Sequence, residues 1–102
     1  MGQYVQIVPV KFVSTAVAVG TVYLDTQSYP FPLTVTAIPA GGGSITVSYS
    51  TTPNAAGLGA SATWITWPSG TVTATTNDYL KSPVSGLRFV AATSAGTVEV
   101  AA

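Results

Sequence analysis

The sequence predicts an all-β protein: a single antiparallel β-sandwich or jelly roll, residues 1–102, with short strands and an extended N-terminal segment. Apolar and polar residues alternate along most of the chain, and Val, Ile and Thr, which favour strands, occupy many of these positions. Clusters of Gly, Pro, Asn and Ser separate the alternating segments. No segment has the period of about 3.6 residues that an amphipathic helix requires.

The N-terminal segment, residues 1–13, is rich in apolar residues but departs from a compact hairpin pattern. Pro9 cannot donate a ladder hydrogen bond, so we expect an edge strand or an arm that adds a strand to a neighbouring subunit. The next segment, 16–24, predicts a strand whose apolar face changes at Gly20–Thr21. Such a change is typical of a β-bulge or a sharp bend.

Two strongly alternating segments, 33–38 and 44–51, predict the clearest hairpin of the chain. A proline-rich loop at 27–32 precedes them, and a glycine-rich turn at 39–43 connects them, since glycine supplies the positive φ angles of tight connections. The apolar faces of these two strands are expected to comprise Leu33, Val35, Ala37, Ile45, Val47 and Tyr49.

The middle of the chain predicts a loop and shorter strands. Residues 52–62 have no apolar period and predict a mobile surface loop. Residues 63–67 predict a strand that ends at Pro68–Gly70. Residues 71–75 predict a further strand, and residues 76–82, which contain Asn77 and Asp78, predict a turn or the start of a one-turn helix.

A second hairpin is predicted near the C-terminus. Residues 87–91 and 97–100 alternate, and a turn at 93–96 separates them. Arg88 and Glu99 lie on these two strands. An ion pair between them would contribute roughly a few tenths of a kcal/mol.

Charged residues are scarce, at 6% of the chain against about 25% in ordinary soluble domains. The sequence contains no His and no Cys. Metal sites and nucleophilic catalysis depend on those residues or on clustered carboxylates, so we expect no metal, no cofactor and no enzymatic activity. The glycine run 41–43 lacks the lysine and the spacing of a phosphate-binding loop. The charged residues are Lys11, Asp25, Asp78, Lys81, Arg88 and Glu99.

Nucleic acids and membranes are not expected as partners. The net charge is zero, and three scattered basic residues cannot form a patch that neutralises phosphates or anionic headgroups. The most apolar stretch, residues 12–24, is shorter than a helical span of about 20 residues. It also lacks the pattern of a signal peptide, and from Met1 we expect an unprocessed product made inside the cell.

Trp64 and Trp67 are the most informative aromatic residues. They stand three positions apart in TWITWP, so a strand would direct one into the core and the other outward. Trp64 and Ile65 also cannot both face the same core, which favours an exposed apolar site in this segment. Exposed Trp and Tyr anchor protein interfaces, although filling the core is the commoner role of aromatic residues in a small sandwich.

A pattern of short motifs covers a little more than half of the chain, from about Gly43 to Val100. It begins with SITVSYSTT and continues, after a loop, with TWITWPSGTVTATTNDYLKSPVSGLRFVAATSAGTVEV. The Trp-Pro-x-Gly turn, the T-x-T strand, the Pro-Val-x-x-Leu-Arg-Phe segment and the final T-V-x-V strand carry the pattern. It resembles small structural proteins of tailed bacteriophages, including head decoration (cement) proteins with sandwich folds.

This resemblance implies a non-enzymatic virion protein, a capsid decoration or cement protein that binds major capsid subunits and stabilises the shell. It implies a location on the capsid surface of the virion and synthesis in the host cytoplasm. Self-association, for example as a trimer at a symmetry axis, is a further expectation. The resemblance assigns no contact residues. As apolar candidates for an exposed interface we select Tyr4, Val5, Ile7, Phe31, Trp64 and Trp67.

Two alternatives stay open at this point. One is a carbohydrate-binding or receptor-binding module, with Trp64, Trp67 and Tyr79 as a sugar platform. The other is a tail, neck or head-fibre component, which would differ from a decoration protein only in its place in the particle.

Overall fold

The computed structural model describes residues 11–81 and 83–102, which form eight β-strands and two short helical turns. The helical turns, α1 (Ala55–Leu58) and a 3-10 turn (Gly59–Ser61), both lie between the fourth and fifth strands. The strands are β1 (Phe12–Val17), β2 (Gly20–Asp25), β3 (Leu33–Pro39), β4 (Ser44–Ser50), β5 (Ile65–Val72), β6 (Thr76–Leu80), β7 (Gly86–Ala92) and β8 (Gly96–Ala101).

Two four-stranded antiparallel sheets pack face to face, which confirms the predicted sandwich. The first sheet has the order β1-β8-β3-β6 and the second has the order β2-β7-β4-β5. Every connection between consecutive strands crosses from one sheet to the other, except the connection from β4 to β5. This strand order is that of an eight-stranded jelly roll built from two Greek keys.

The core lies between the inner faces of the two sheets. Each strand contributes alternate residues to it, because successive side chains of a strand point to opposite faces. All six apolar residues expected on the inner faces of β3 and β4 lie there, with Tyr49 half-buried and the other five buried. The largest fully buried side chains are Trp67, Phe89, Leu33, Ile45 and Leu87.

Both predicted hairpins are wrong in their pairing. β3 lies in the first sheet and bonds to β8 and β6, whereas β4 lies in the second sheet and bonds to β7 and β5. β7 and β8 are divided between the sheets in the same way, so Arg88 and Glu99 do not pair across strands. Alternation predicts which side chains face the core. It does not predict in which of the two facing sheets a strand lies.

The strand predicted to end at Pro68–Gly70 instead continues through these residues as β5. The ladder shifts register between Thr46 and Ser48, and Gly70 has a φ of 67°. Proline fits here because β5 is an edge strand with a bulge, where a missing N–H is tolerated. The predicted strand 71–75 is a strand only at Thr71 and Val72, where β5 ends. Residues 73–75 connect β5 to β6.

Three other segments also differ from expectation. Most of the predicted turn 76–82 is the edge strand β6, which pairs with β3. α1 and the 3-10 turn fall within the predicted loop 52–62. The bend predicted near Gly20 is where the chain passes from the first sheet to the second, with a φ of 131° at that glycine.

The N-terminal segment is described only in part. Phe12 and Val13 begin β1, which lies at one end of the strand order of the first sheet among the described residues. Residues 1–10 lie outside the described residues. At Lys11 the backbone exchanges two hydrogen bonds with Ala102, at 3.0 and 2.8 Å.

Candidate functional site

The candidate site lies on the outer face of the second sheet. Tyr23 of β2, Arg88 of β7, Ser48 of β4 and Thr66 of β5 are successive register partners. Residues directly opposite each other on neighbouring strands project to the same face. A row of one aromatic, one cationic and two hydroxyl side chains therefore crosses the whole sheet.

The segment between β4 and β5 folds over one end of this row. α1 packs on β2 and β7, and Ala55 is fully buried there. Gly86 makes room for it, since a Cβ at that position would lie 3.3 Å from the Cβ of Ala55. The absence of a side chain on β7 thus lets the segment lie directly against the sheet.

Trp64 is the last residue of this segment, and a hydrogen bond to the segment fixes its side chain. Its indole N–H donates to the carbonyl oxygen of Gly59 at 2.8 Å. Its ring lies 5.5 Å from the ring of Tyr23, centroid to centroid, with the planes tilted by 40°. Aromatic pairs at this separation are worth about 0.5–1.5 kcal/mol beyond their burial.

Arg88 is the cation of the site. Its guanidinium carbon lies 5.3 Å from the centroid of the Trp64 ring, within the range of a cation–π interaction. Its Nη2 donates to the hydroxyl of Ser48 at 3.3 Å. Its Nε is enclosed and has no hydrogen-bond partner among the described residues. The guanidinium is therefore fixed against an aromatic wall with much of its donor capacity unused.

Apolar surface borders this cluster. Leu58 precedes Gly59, next to Tyr23, and is 44% exposed, while Tyr23 itself is 36% exposed. We call Tyr23, Leu58, Trp64 and Arg88 together the aromatic–arginine patch. Ile65 is also exposed, but it pairs with Tyr49 and belongs to the opposite face of the sheet.

The outer face of the first sheet presents a second exposed surface. Phe12, Ala101, Thr34 and Tyr79 form one cross-strand row, in which Phe12 is 55% and Tyr79 is 60% exposed. Among the outward-facing residues of the four strands of this sheet, Glu99 is the one residue with a carboxylate. This surface is consequently rich in hydroxyl groups and nearly uncharged.

A small cleft of about 210 Å³ opens at one edge of the sandwich, near β5 and β6. Its described lining contains no carboxylate, and Lys81 is its one cationic side chain. No group of three or more acidic residues in ranges 11–81 and 83–102 is placed to hold a metal ion. The lining residues are Tyr49, Thr51, Pro68, Tyr79, Leu80, Lys81, Pro83 and Val84.

The structure separates the six residues selected for an interface. Trp64 belongs to the patch, and Phe31 is half-buried against the core. Trp67 is wrong as an interface residue, because it points inward and is 1% exposed. The three remaining candidates, Tyr4, Val5 and Ile7, lie outside the described residues.

The sugar platform proposed from the sequence does not form. Trp64 lies on the outer face of the second sheet, Trp67 fills the core, and Tyr79 lies on the outer face of the first sheet. Tyr23 and Arg88 are the site residues that sequence reasoning missed. Their meeting with Trp64 depends on the pairing of β2 with β7, which local alternation does not specify.

Comparison with known protein families, with curated proteins and with solved structures gives no match for this chain. Among the described residues, no helix has the length and hydropathy needed to cross a membrane.

Proposed function

We propose that the protein is a non-enzymatic structural protein of a tailed-phage virion, a decoration or cement protein that binds major capsid subunits. The motif pattern from Gly43 to Val100 supports the phage assignment. Jelly rolls occur in viral capsid proteins as well as in lectin domains and cupins, so the fold is compatible with this role without deciding it.

The observation that carries the proposal is the aromatic–arginine patch. Trp, Tyr and Arg are the residue types most enriched among side chains that dominate binding energy in protein interfaces. Here Tyr23, Trp64 and Arg88 adjoin on one sheet face, and the Trp64–Gly59 hydrogen bond fixes the indole. A side chain that is fixed before binding loses less conformational entropy on binding.

The low charge of the chain supports the same role. Only 6% of the residues are charged, so covering the protein surface removes few ions from water. Many copies attached to one lattice can each bind weakly while the shell as a whole is stabilised.

Reconstitution tests the proposal. Purified protein is mixed with capsids that lack it, and the particles are imaged by cryo-EM and heated. We expect density at fixed lattice positions and a higher temperature of capsid disruption. Bare lattices would refute the decoration role. Density on the neck or tail of complete particles would favour the tail, neck or head-fibre alternative, and binding on a glycan array would favour the carbohydrate-binding one.

Replacement of Trp64 tests the patch itself. We expect Trp64→Ala to weaken capsid binding at least about 10-fold, because it removes a fixed aromatic anchor. Ile65→Ala is the matched control, since Ile65 is the next residue and is exposed on the other face of the sheet. Equal affinities of the two variants in a capsid-binding assay would exclude the patch as the docking surface.

Self-association is a separate part of the proposal and has its own prediction. We expect sedimentation velocity to detect oligomers at high protein concentration, because Phe12 and Tyr79 expose apolar surface on a nearly uncharged face. Phe12→Lys combined with Tyr79→Lys should give a monomer through like-charge repulsion. A wild-type protein that is monomeric at every concentration would rule out the homo-oligomer.

A further inference from the structure

We propose that Arg88 is an anchor for a carboxylate of the partner, so that the aromatic–arginine patch accepts an Asp or Glu side chain from a protein surface. The inference rests on the proposed docking function and adds the chemistry of the partner. Arg88 carries a charge without a counter-ion among the described residues, and aromatic side chains lie beside it.

The chain itself leaves Arg88 without a counter-ion among the described residues. Asp25 lies two positions from Tyr23 on β2, but its carboxylate accepts the backbone N–H of Gln27 at 2.9 Å. Asp78 lies on β6 and accepts bonds from Ser69 and from the backbone N–H of Tyr79, both at 2.8 Å. Glu99, the third acidic residue, lies in the other sheet.

The hydrogen-bonding capacity of the guanidinium is also largely unused. It carries five N–H donors, and its one bond within the described part of the chain is the 3.3 Å contact to the neutral Ser48 hydroxyl. Nε is enclosed, which leaves the two Nη groups as the donors through which Arg88 would bind a ligand. A carboxylate has the planar geometry and the charge to accept two N–H bonds from such an edge.

The residues around Arg88 strengthen its preference for a carboxylate. Trp64 and Tyr23 form an apolar wall on one side, and exposed Leu58 extends it. Once a partner covers these residues, water is excluded and the attraction between guanidinium and carboxylate increases. Arg is suited to this position because its guanidinium is more weakly hydrated than a Lys ammonium. The patch therefore fits an acidic side chain flanked by apolar residues.

Capsid binding of four proteins provides the first test: wild type, Arg88→Met, Arg88→Lys and Lys81→Met. Arg88→Met keeps the length of the side chain and should lower the affinity about 30-fold, with a weaker dependence on salt. The affinity of Arg88→Lys should lie between those of the wild type and Arg88→Met, because Lys keeps the positive charge but lacks the planar guanidinium group. Lys81→Met, which removes an exposed cation outside the patch, should stay within about twofold of the wild type.

A second test does not depend on capsids. The ¹⁵N-labelled wild-type protein is titrated with sodium acetate and, separately, with sodium chloride at equal ionic strength. We expect acetate alone to shift the Arg88 Nε–H and Trp64 indole N–H resonances in a saturable way, and Arg88→Met to remove the indole shift.

The outcomes separate this inference from the proposed function. Wild-type protein that leaves capsids bare refutes the decoration role, while the acetate titration still decides whether Arg88 binds carboxylates. Capsid binding that Arg88→Met leaves unchanged overturns the inference and leaves the decoration role standing. The absence of any acetate-specific shift overturns the inference, whether or not the wild-type protein binds capsids.

Discussion

Trp67→Ala is expected to lower the free energy of unfolding by about 3–5 kcal/mol, the usual cost of truncating a large buried aromatic residue. Trp67 is the largest of the fully buried side chains, and its indole N–H donates to the carbonyl oxygen of Gly70 at the bulge of β5. The substitution leaves a cavity between the sheets and removes the bond that ties the bulge to the core. Urea denaturation followed by far-UV circular dichroism would measure the change.

The control for this prediction is Tyr79→Ala, which truncates an aromatic residue that is 60% exposed. We expect a change within about 0.5 kcal/mol for this variant. If the two variants lost similar stability, the inward orientation of Trp67 would be wrong. Since small domains are stable by only about 5–15 kcal/mol, the expected loss for Trp67→Ala is a large part of the total.

Gly96→Val is expected to cost about 3 kcal/mol, the upper end of the usual range for overpacking a well-packed core. Gly96 begins β8, and its position faces β4 across the sandwich. A Cβ there would lie 2.7 Å from the carbonyl oxygen of Ile38 and 2.7 Å from the Cδ1 of Ile45. Ile45 can move its side chain, but the contact with the backbone of Ile38 requires the strands to separate. Thermal and urea unfolding would both report the loss.

Gly41→Ala is the matched control for that variant. Gly41 lies in the connection between β3 and β4, and a Cβ there would meet no atom within 4 Å. The alanine restricts the unfolded chain and should raise stability by about 0.4–1 kcal/mol where the native backbone accepts it. A destabilising Gly41→Ala together with a neutral Gly96→Val would contradict the packing described for these two glycines.

Alternation along the strands was sufficient to predict the fold class and much of the core. Leu33, Val35, Ala37, Ile45 and Val47 are all buried, as their spacing predicted. Alternation is a local property, and it reports burial because one face of each strand meets apolar neighbours. It carries no information about hydrogen-bonded partners, which in this jelly roll are mostly distant in sequence.

Edge strands were the least predictable elements. β6 contains Asn77 and Asp78, which favour turns, yet its pairing with β3 and the bond from Ser69 to Asp78 hold it in the sheet. β5 contains Pro68 and Gly70, which usually end a strand, yet an edge position with a bulge accommodates both. In these cases tertiary pairing overrides the local preference of the residues.

The candidate site was predictable only in part. The spacing of Trp64 and Trp67 indicated that one of them faces outward, but it did not indicate which one. Tyr23 and Arg88 gave no local signal, because they are far apart in sequence and become neighbours only when β2 pairs with β7. A site assembled across a sheet is therefore visible only once the strand order is known.

The pairing of β1 with β8 has a mechanical consequence. Phe12 lies opposite Ala101, and Lys11 and Ala102 exchange backbone hydrogen bonds, so residues 11 and 102 lie side by side in the first sheet. Tension applied between residues 11 and 102 would load the antiparallel ladder one pair after another, beginning with Lys11 and Ala102. Strands pulled in this way separate at low force.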